Sequence, residues 1–100
     1  MKVLNIRKIR NCRQIDIMYD LEFDYEITKH FIDHLAKIAA CEYFPNFPKP
    51  FFRIYLHEHL MIKGSVGNSI VRVVVLNLIY SQSVKESIEN FIVHAEGYTR

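Results

Sequence analysis

The sequence predicts an α+β protein in which four strands and two helices follow the order β-β-α-β-β-α and form a two-layer sandwich. Three observations predict this fold. Apolar residues alternate along two stretches near the N-terminus, a valine-rich segment begins shortly after residue 68, and two further stretches show the period of an amphipathic helix. A four-stranded, mostly antiparallel sheet with both helices on one face is the simplest arrangement that buries these patterns. We expect residues 1–100 to form a single domain around one core.

The first two strands are predicted on either side of residues 10–14, because apolar residues alternate with polar ones there. The first strand is basic and the second is acidic. An antiparallel register with Ile9 opposite Ile15 would set opposite charges side by side, for example Lys8 against Asp16. The uneven charge distribution would then be cancelled within this hairpin.

The first helix is predicted from about Tyr25 to Glu42, with Asp24 as the N-cap. Its apolar residues recur at helical spacing, and they are Ile27, Phe31, Leu35, Ile38 and Ala39. The following segment, residues 43–52, contains three prolines and five aromatic residues. Prolines exclude a regular helix there, so we expect an extended connection whose aromatic side chains close one end of the core or contact a partner.

The second half is predicted to form a long β-hairpin over residues 51–78. Even-numbered apolar residues, from Phe52 to Ile62, define one face of its first strand. That strand would be about twice the usual length, so we expect a bend at residues 57–59, where the alternation stops. A four-residue turn with Leu60 opposite Val73 gives the most apolar pairing.

The second helix is predicted to begin at Ser83, because Ser83 and Glu86 have the spacing of a capping box. Gly97 marks its expected end. Its apolar residues fall on one stripe, and they are Val84, Ile88, Phe91, Ile92 and Ala95.

Composition favours a cytoplasmic protein. Charges occupy the first ten residues, where a signal peptide would have an apolar centre, and no apolar run reaches the length of a membrane span. Two cysteines are too few for a disulfide framework, and a net charge of +2 is too small to indicate nucleic-acid binding alone. We expect no cofactor.

The predicted sheet leaves apolar residues on the face away from the helices. These residues are Leu4, Ile6, Met18, Val74 and Leu76. A contiguous apolar surface usually marks association, so we expect a homodimer that forms through Met18, Val74 and Leu76. The aromatic residues Phe44, Phe47 and Phe51 are the expected anchors for a further protein partner.

Two histidine pairs are candidate metal ligands. His30 and His34 are one helical turn apart, and His57 and His59 are two residues apart on one strand face. Either pair could supply two imidazoles to zinc or a similar divalent ion, in a metal-binding protein or a small enzyme, with Asp33 or Glu58 as a further ligand. If the helices cover one sheet face, however, the two pairs lie on opposite sides of the sheet.

A single-stranded nucleic-acid platform is the other alternative. Arg53, Tyr55 and Lys63 share a strand face with His57 and His59, and an open sheet that displays basic and aromatic groups can stack bases. Acidic residues of the first hairpin would oppose phosphate there. We find no motif of a nucleophile or metalloprotease, so the sequence favours a non-enzymatic protein-binding module that acts as a homodimer.

Overall fold

The computed structural model describes residues 1–10, 17–56, 60–76 and 81–98. Six strands form one antiparallel sheet in the order β1-β2-β6-β5-β4-β3, and two helices accompany it. The elements are β1 (Val3–Arg10), β2 (Ile17–Phe23), α1 (Lys29–Leu35), β3 (Ala40–Phe44), β4 (Phe51–Leu56), β5 (Leu60–Ser65), β6 (Ile70–Val75) and α2 (Ser81–Glu96). Neither helix in this part of the chain is long and apolar enough to cross a membrane.

The predicted α+β class agrees with this architecture, but the predicted four-stranded sheet and β-β-α-β-β-α order are wrong. The sheet has six strands, and four of them separate the two helices. Two strands were missed for different reasons. The residues of β4 and β5 were predicted to form one long strand. The first residues of β3 were predicted to belong to the first helix.

The long predicted strand over residues 51–63 is two antiparallel strands, β4 and β5. Leu56 pairs with Leu60 and Ile54 with Ile62. In every pair, both residue numbers are even or both are odd. Paired residues point to the same side of a sheet, so the even-numbered side chains of both strands share one face. A single straight strand would give the same alternation, and the apolar pattern cannot distinguish the two structures. The expected bend at residues 57–59 lies outside the described residues.

The first helix begins later than predicted, because the residues of its predicted first turn form backbone hydrogen bonds with other parts of the chain. The Ile27 N–H donates to the Asn68 carbonyl at 2.7 Å, and the Asp24 N–H donates to the Lys2 carbonyl at 2.9 Å. Thr28 is the N-cap instead, and its hydroxyl accepts from the Phe31 N–H at 3.2 Å. This tertiary connection overrides the local helical pattern.

The predicted C-terminal part of that helix becomes the edge strand β3. It pairs with β4 from Ala40 opposite Tyr55 to Phe44 opposite Phe51. Ile38, predicted to lie on the buried stripe, precedes this strand and is 43% exposed. The aromatic segment is thus partly a strand, and its prolines lie in the connection to β4.

Both predicted registers are shifted. Ile9 pairs with Met18, not with Ile15, and Lys8 lies opposite Tyr19. This shift by an odd number of residues turns Ile6 to the side of the buried Leu21, so Ile6 does not point away from the helices as predicted.

In the last hairpin, Leu60 pairs with Val75 and Ile62 with Val73, where Leu60 opposite Val73 was predicted. This shift is by an even number of residues. The face assignment predicted for β6 is therefore correct, with Val71, Val73 and Val75 buried together.

One hydrophobic core lies between the sheet and both helices. Its sheet residues share a face, because Ile54, Ile62 and Val73 are neighbours across three strands. From α2, Val84, Phe91 and Ala95 are buried, as the helical stripe predicts, and the helix ends at Glu96 just before Gly97. It begins two residues before the predicted Ser83.

Replacing Ile62 with alanine tests the position of this core. Ile62 lies fully buried in the middle of the sheet, so Ile62→Ala should lower the free energy of unfolding by about 2–4 kcal/mol. The matched control is Ile6→Ala, since Ile6 is 51% exposed on the edge strand and should cost less than about 1 kcal/mol. Urea unfolding followed by circular dichroism measures both, and equal losses would contradict this core assignment.

Candidate functional site

The face of the sheet away from the helices is the candidate functional site, and we call it the outer face. Cross-strand pairing places its residues in rows that run perpendicular to the strands. One row, the apolar row, spans all six strands in the order Ile9, Met18, Val74, Met61, Tyr55 and Ala40. Leu76 follows directly after β6 and is 49% exposed. Val74, between the two methionines, is only 6% exposed.

A second row on the outer face, the charged row, lies one pair of residues further along the strands. Its members are, in order, Arg7, Asp20, Arg72, Lys63, Arg53 and Glu42. It contains four cations and two carboxylates. A shallow depression of about 320 Å³ lies beside this row, and Asp20, Lys63 and Arg72 contribute to its lining.

The carboxylates of the charged row are paired with its arginines. Arg72 donates two hydrogen bonds to Asp20, from Nε to Oδ1 at 3.0 Å and from Nη2 to Oδ2 at 3.3 Å. This bidentate contact raises the pKa of the Arg72 guanidinium above its usual value. Arg53 is held less firmly, because its Nε lies 3.7 Å from Glu42 Oε1 and forms no hydrogen bond with the described residues.

Three aromatic side chains form a cluster at one corner of the outer face, and we call it the aromatic cluster. The rings of Phe44 and Phe51 stack with centroids 4.5 Å apart, and Phe47 lies 4.9 Å from Phe51. The Arg53 guanidinium lies over the Phe44 ring at 4.9 Å, a cation–π contact. Phe47 belongs to the connection between β3 and β4 and is 53% exposed.

The structure brings together on one face three sets of residues that the sequence suggested for separate roles. Met18 and Val74 lie in the apolar row, with Leu76 directly after β6. The predicted partner anchors form the aromatic cluster at its corner. The predicted nucleic-acid residues Arg53, Tyr55 and Lys63 also lie on this face, in the two rows.

Electrostatics on the outer face favour a protein surface over a phosphate-binding surface. A phosphate backbone requires cations that are free to replace its counterions. Arg72 lies beside the carboxylate of Asp20, and Arg53 lies beside that of Glu42. A row that carries both signs of charge is instead typical of a surface that pairs with complementary charges.

His34 of the predicted pair on α1 also contacts His94 of α2, a residue that belongs to neither predicted pair. Their rings stack in parallel with centroids 4.2 Å apart. His34 Nε2 lies 2.8 Å from the His94 carbonyl oxygen, and His94 Nε2 lies 2.8 Å from the His34 carbonyl oxygen. A carbonyl oxygen can only accept, so both rings carry a hydrogen on Nε2 and donate it. This reciprocal contact joins the C-terminal turns of α1 and α2, and sequence spacing gave no sign of it.

The predicted metal site at His30 and His34 gains no third His, Cys, Asp or Glu ligand among the described residues. His30, Asp33 and His34 line one depression at the end of α1, together with Lys37. No group of three or more His, Cys, Asp or Glu residues able to hold a metal occurs in residues 1–10, 17–56, 60–76 and 81–98. His57 and His59 lie outside these ranges.

Cys41 lies on β3, whereas the sequence placed it on the first helix. Its side chain is half-buried and packs against the core. Burial raises the pKa of the thiol, which lowers the fraction of thiolate at neutral pH. The positive charge of Lys29 opposes this rise in the pKa, but burial is the larger effect.

Comparisons with protein-family models, curated proteins and solved structures gave no match to this chain. The function is therefore inferred from the geometry of the outer face.

A double-mutant cycle tests the contact between the two helices. His34→Ala and His94→Ala should each lower the free energy of unfolding by about 1–2 kcal/mol, because each removes the stack and a hydrogen bond. The double variant should lose less than the sum, with a coupling of about 0.5–2 kcal/mol. His30→Ala, at an exposed position on α1, is the control and should have little effect. Additive losses in urea unfolding would contradict the reciprocal contact.

Proposed function

We propose that this protein is a non-enzymatic, cytoplasmic binding module that acts as a homodimer, with a second copy of the chain covering the outer face. The observation that carries the proposal is the apolar row, which crosses the whole width of the sheet on the side that the helices do not cover. The buried residues of both helices pack against the other face of the sheet. Burying a continuous apolar surface of this kind is the main driving force for association.

The size of the outer face is sufficient for a small stable interface. Six strands at the usual spacing give a width of about 25 Å. The apolar row, the charged row and the next row, which contains Phe44 and Phe51, give a length of about 20 Å. Two such faces in contact bury on the order of 1,000 Å² in total, which is near the lower limit of specific interfaces. An apolar centre beside charged residues is also the usual composition of an interface.

We also propose a further protein partner that binds beside the homodimer interface, at Phe47 of the aromatic cluster, because Phe47 lies in the connection beyond the paired strand residues. Phe47 keeps about half of its surface exposed while its ring contacts Phe51, so it is a pre-organised apolar anchor at the corner of the sheet. Aromatic side chains held by neighbours lose little conformational entropy on binding. The alternative, nucleic-acid binding through Arg53, Tyr55 and Lys63, is weaker because the charged row contains its own carboxylates.

Charge substitutions on the outer face test the homodimer. Leu76→Glu and Val74→Glu should each convert the dimer into a monomer, because each would bury a carboxylate in an apolar interface. Leu76→Glu is the cleaner variant, since Leu76 is 49% exposed within one chain and Val74 is covered by its neighbours. Sedimentation velocity measures the molar mass of each.

Val93→Glu is the matched control, because Val93 is 70% exposed on α2, away from the outer face. It should leave the dimer intact. A wild-type chain that remains a monomer at the highest soluble concentration would end the proposal.

A further inference from the structure

We infer that the two-fold axis of the homodimer runs parallel to the strands, between β5 and β6, so that each row of the outer face meets the same row of the second copy in reverse order. This inference rests on the proposed homodimer and adds its geometry. The order of charges in the charged row supports this inference. When the row of one copy is set against the same row of the other copy in reverse order, most opposing residues carry opposite charges.

Aligned packing of two sheets allows few symmetric arrangements. Strands of the two sheets stay within about 30° of one another, and a homodimer uses the same patch on both copies. Rotation about an axis parallel to the strands, through the middle of the six-stranded sheet, sets β1 opposite β3, β2 opposite β4 and β6 opposite β5 of the second copy. Residues at the same height along the strands then face each other.

The charged row becomes self-complementary under this rotation. Arg7 of one copy faces Glu42 of the other, and Asp20 faces Arg53. Symmetry repeats each attraction, so the interface contains four such pairings. Two like-charged pairings remain at the centre, because Arg72 of each copy faces Lys63 of the other. The bidentate contact between Asp20 and Arg72 offsets them, because it neutralises the arginine within its own chain.

Arg53 is suited to contact a second carboxylate. Its separation of 3.7 Å from Glu42 is longer than a hydrogen bond. Its Nε is buried without an acceptor among the described residues, but 37% of the side-chain surface is exposed, so the rest of the guanidinium can meet a new carboxylate. The guanidinium is nevertheless held in place over the Phe44 ring. A charged group that is positioned but incompletely paired gains more from a new carboxylate than one that is already satisfied.

The apolar row is also compatible with this axis. Met18 would face Tyr55 of the second copy, and Val74 would face Met61. Methionine side chains adapt their shape and make favourable contacts with aromatic rings. Large flexible and aromatic groups would therefore meet at the centre of the interface, where they are most completely removed from water.

An axis perpendicular to the strands gives a poorer arrangement of charge. If it passed along the charged row, each residue would face its own copy, with Arg7 against Arg7 and Glu42 against Glu42. If it passed along the apolar row, the charged row of one copy would no longer lie opposite the charged row of the other. Like charges placed opposite each other disfavour the first of these arrangements.

Mixing two charge-reversed variants tests the axis. Glu42→Lys chains would set two cations against each other at the contact with Arg7, and Arg7→Glu chains would set two carboxylates together there. Each variant alone should therefore dimerise about tenfold more weakly than the wild type. In an equimolar mixture, one copy of each variant restores opposite charges at both contacts. Sedimentation velocity of the separate and mixed variants measures the dissociation constants. Both residues are exposed, so folding should be preserved, which circular dichroism verifies.

The expected result is a heterodimer whose affinity approaches that of the wild type. Changes within each chain, such as the loss of the contact between Glu42 and Arg53, are the same in separate and mixed samples and cannot produce this recovery. Weakened variants that do not recover on mixing, or variants that dimerise normally, would overturn the axis while leaving the homodimer intact. A monomeric wild type would overturn the homodimer itself.

Cross-linking gives a second readout that does not depend on charge. In a chain with Cys12 and Cys41 replaced by serine, Met18→Cys should cross-link to Tyr55→Cys through a bis-maleimide of about 10 Å, the spacing of packed sheets. Met18→Cys chains alone should not cross-link, because the new thiol on β2 faces β4 of the second copy and not its β2. Efficient linkage of Met18→Cys to itself would indicate an axis across the strands and contradict the inference.

Discussion

The two-sided burial of β6 is the constraint on which the rest of the structure depends. This strand lies between β2 and β5, so it joins the N-terminal hairpin to the strands that follow α1. Val71, Val73 and Val75 face the helices and are buried there, and Val74 on the other side is covered by the flanking methionines of β2 and β5. Two helices on one side cannot cover both faces of a six-stranded sheet. The outer face therefore keeps an apolar band whose most favourable cover is another apolar surface.

The fold could be predicted only as far as local patterns determine it. Alternation identified the core-facing residues of the strands, and the stripe of α2 is buried as expected. The number of strands depended on features that local patterns do not contain. The even-numbered apolar residues would lie on one face of the sheet both in a single straight strand and in the hairpin of β4 and β5. The hydrogen bond from Ile27 to Asn68 displaced the start of α1, and the two partners of that bond are distant in sequence.

The candidate site shows the same limit. Alternation is enough to place Val74 on the opposite side of β6 from Val73, but the neighbours of each residue depend on register. Only the pairing of six strands shows that cations and carboxylates share one row, with Asp20 beside Arg72. The stack of His34 and His94 joins residues sixty positions apart, and no spacing rule could suggest it. The aromatic cluster, by contrast, is largely local, because a short loop connects its strands.

Isotope-filtered NMR on a mixture of labelled and unlabelled protein tests the central claim most directly, since it reports contacts between copies. If a second copy covers the outer face, the Met18 methyl group of one copy should show nuclear Overhauser effects to the Tyr55 ring of the other, with Met61 giving similar contacts to Val74. The claim would be contradicted if neither methionine methyl group contacted another copy and both were attenuated by a soluble paramagnetic agent, because the outer face would then be open to water.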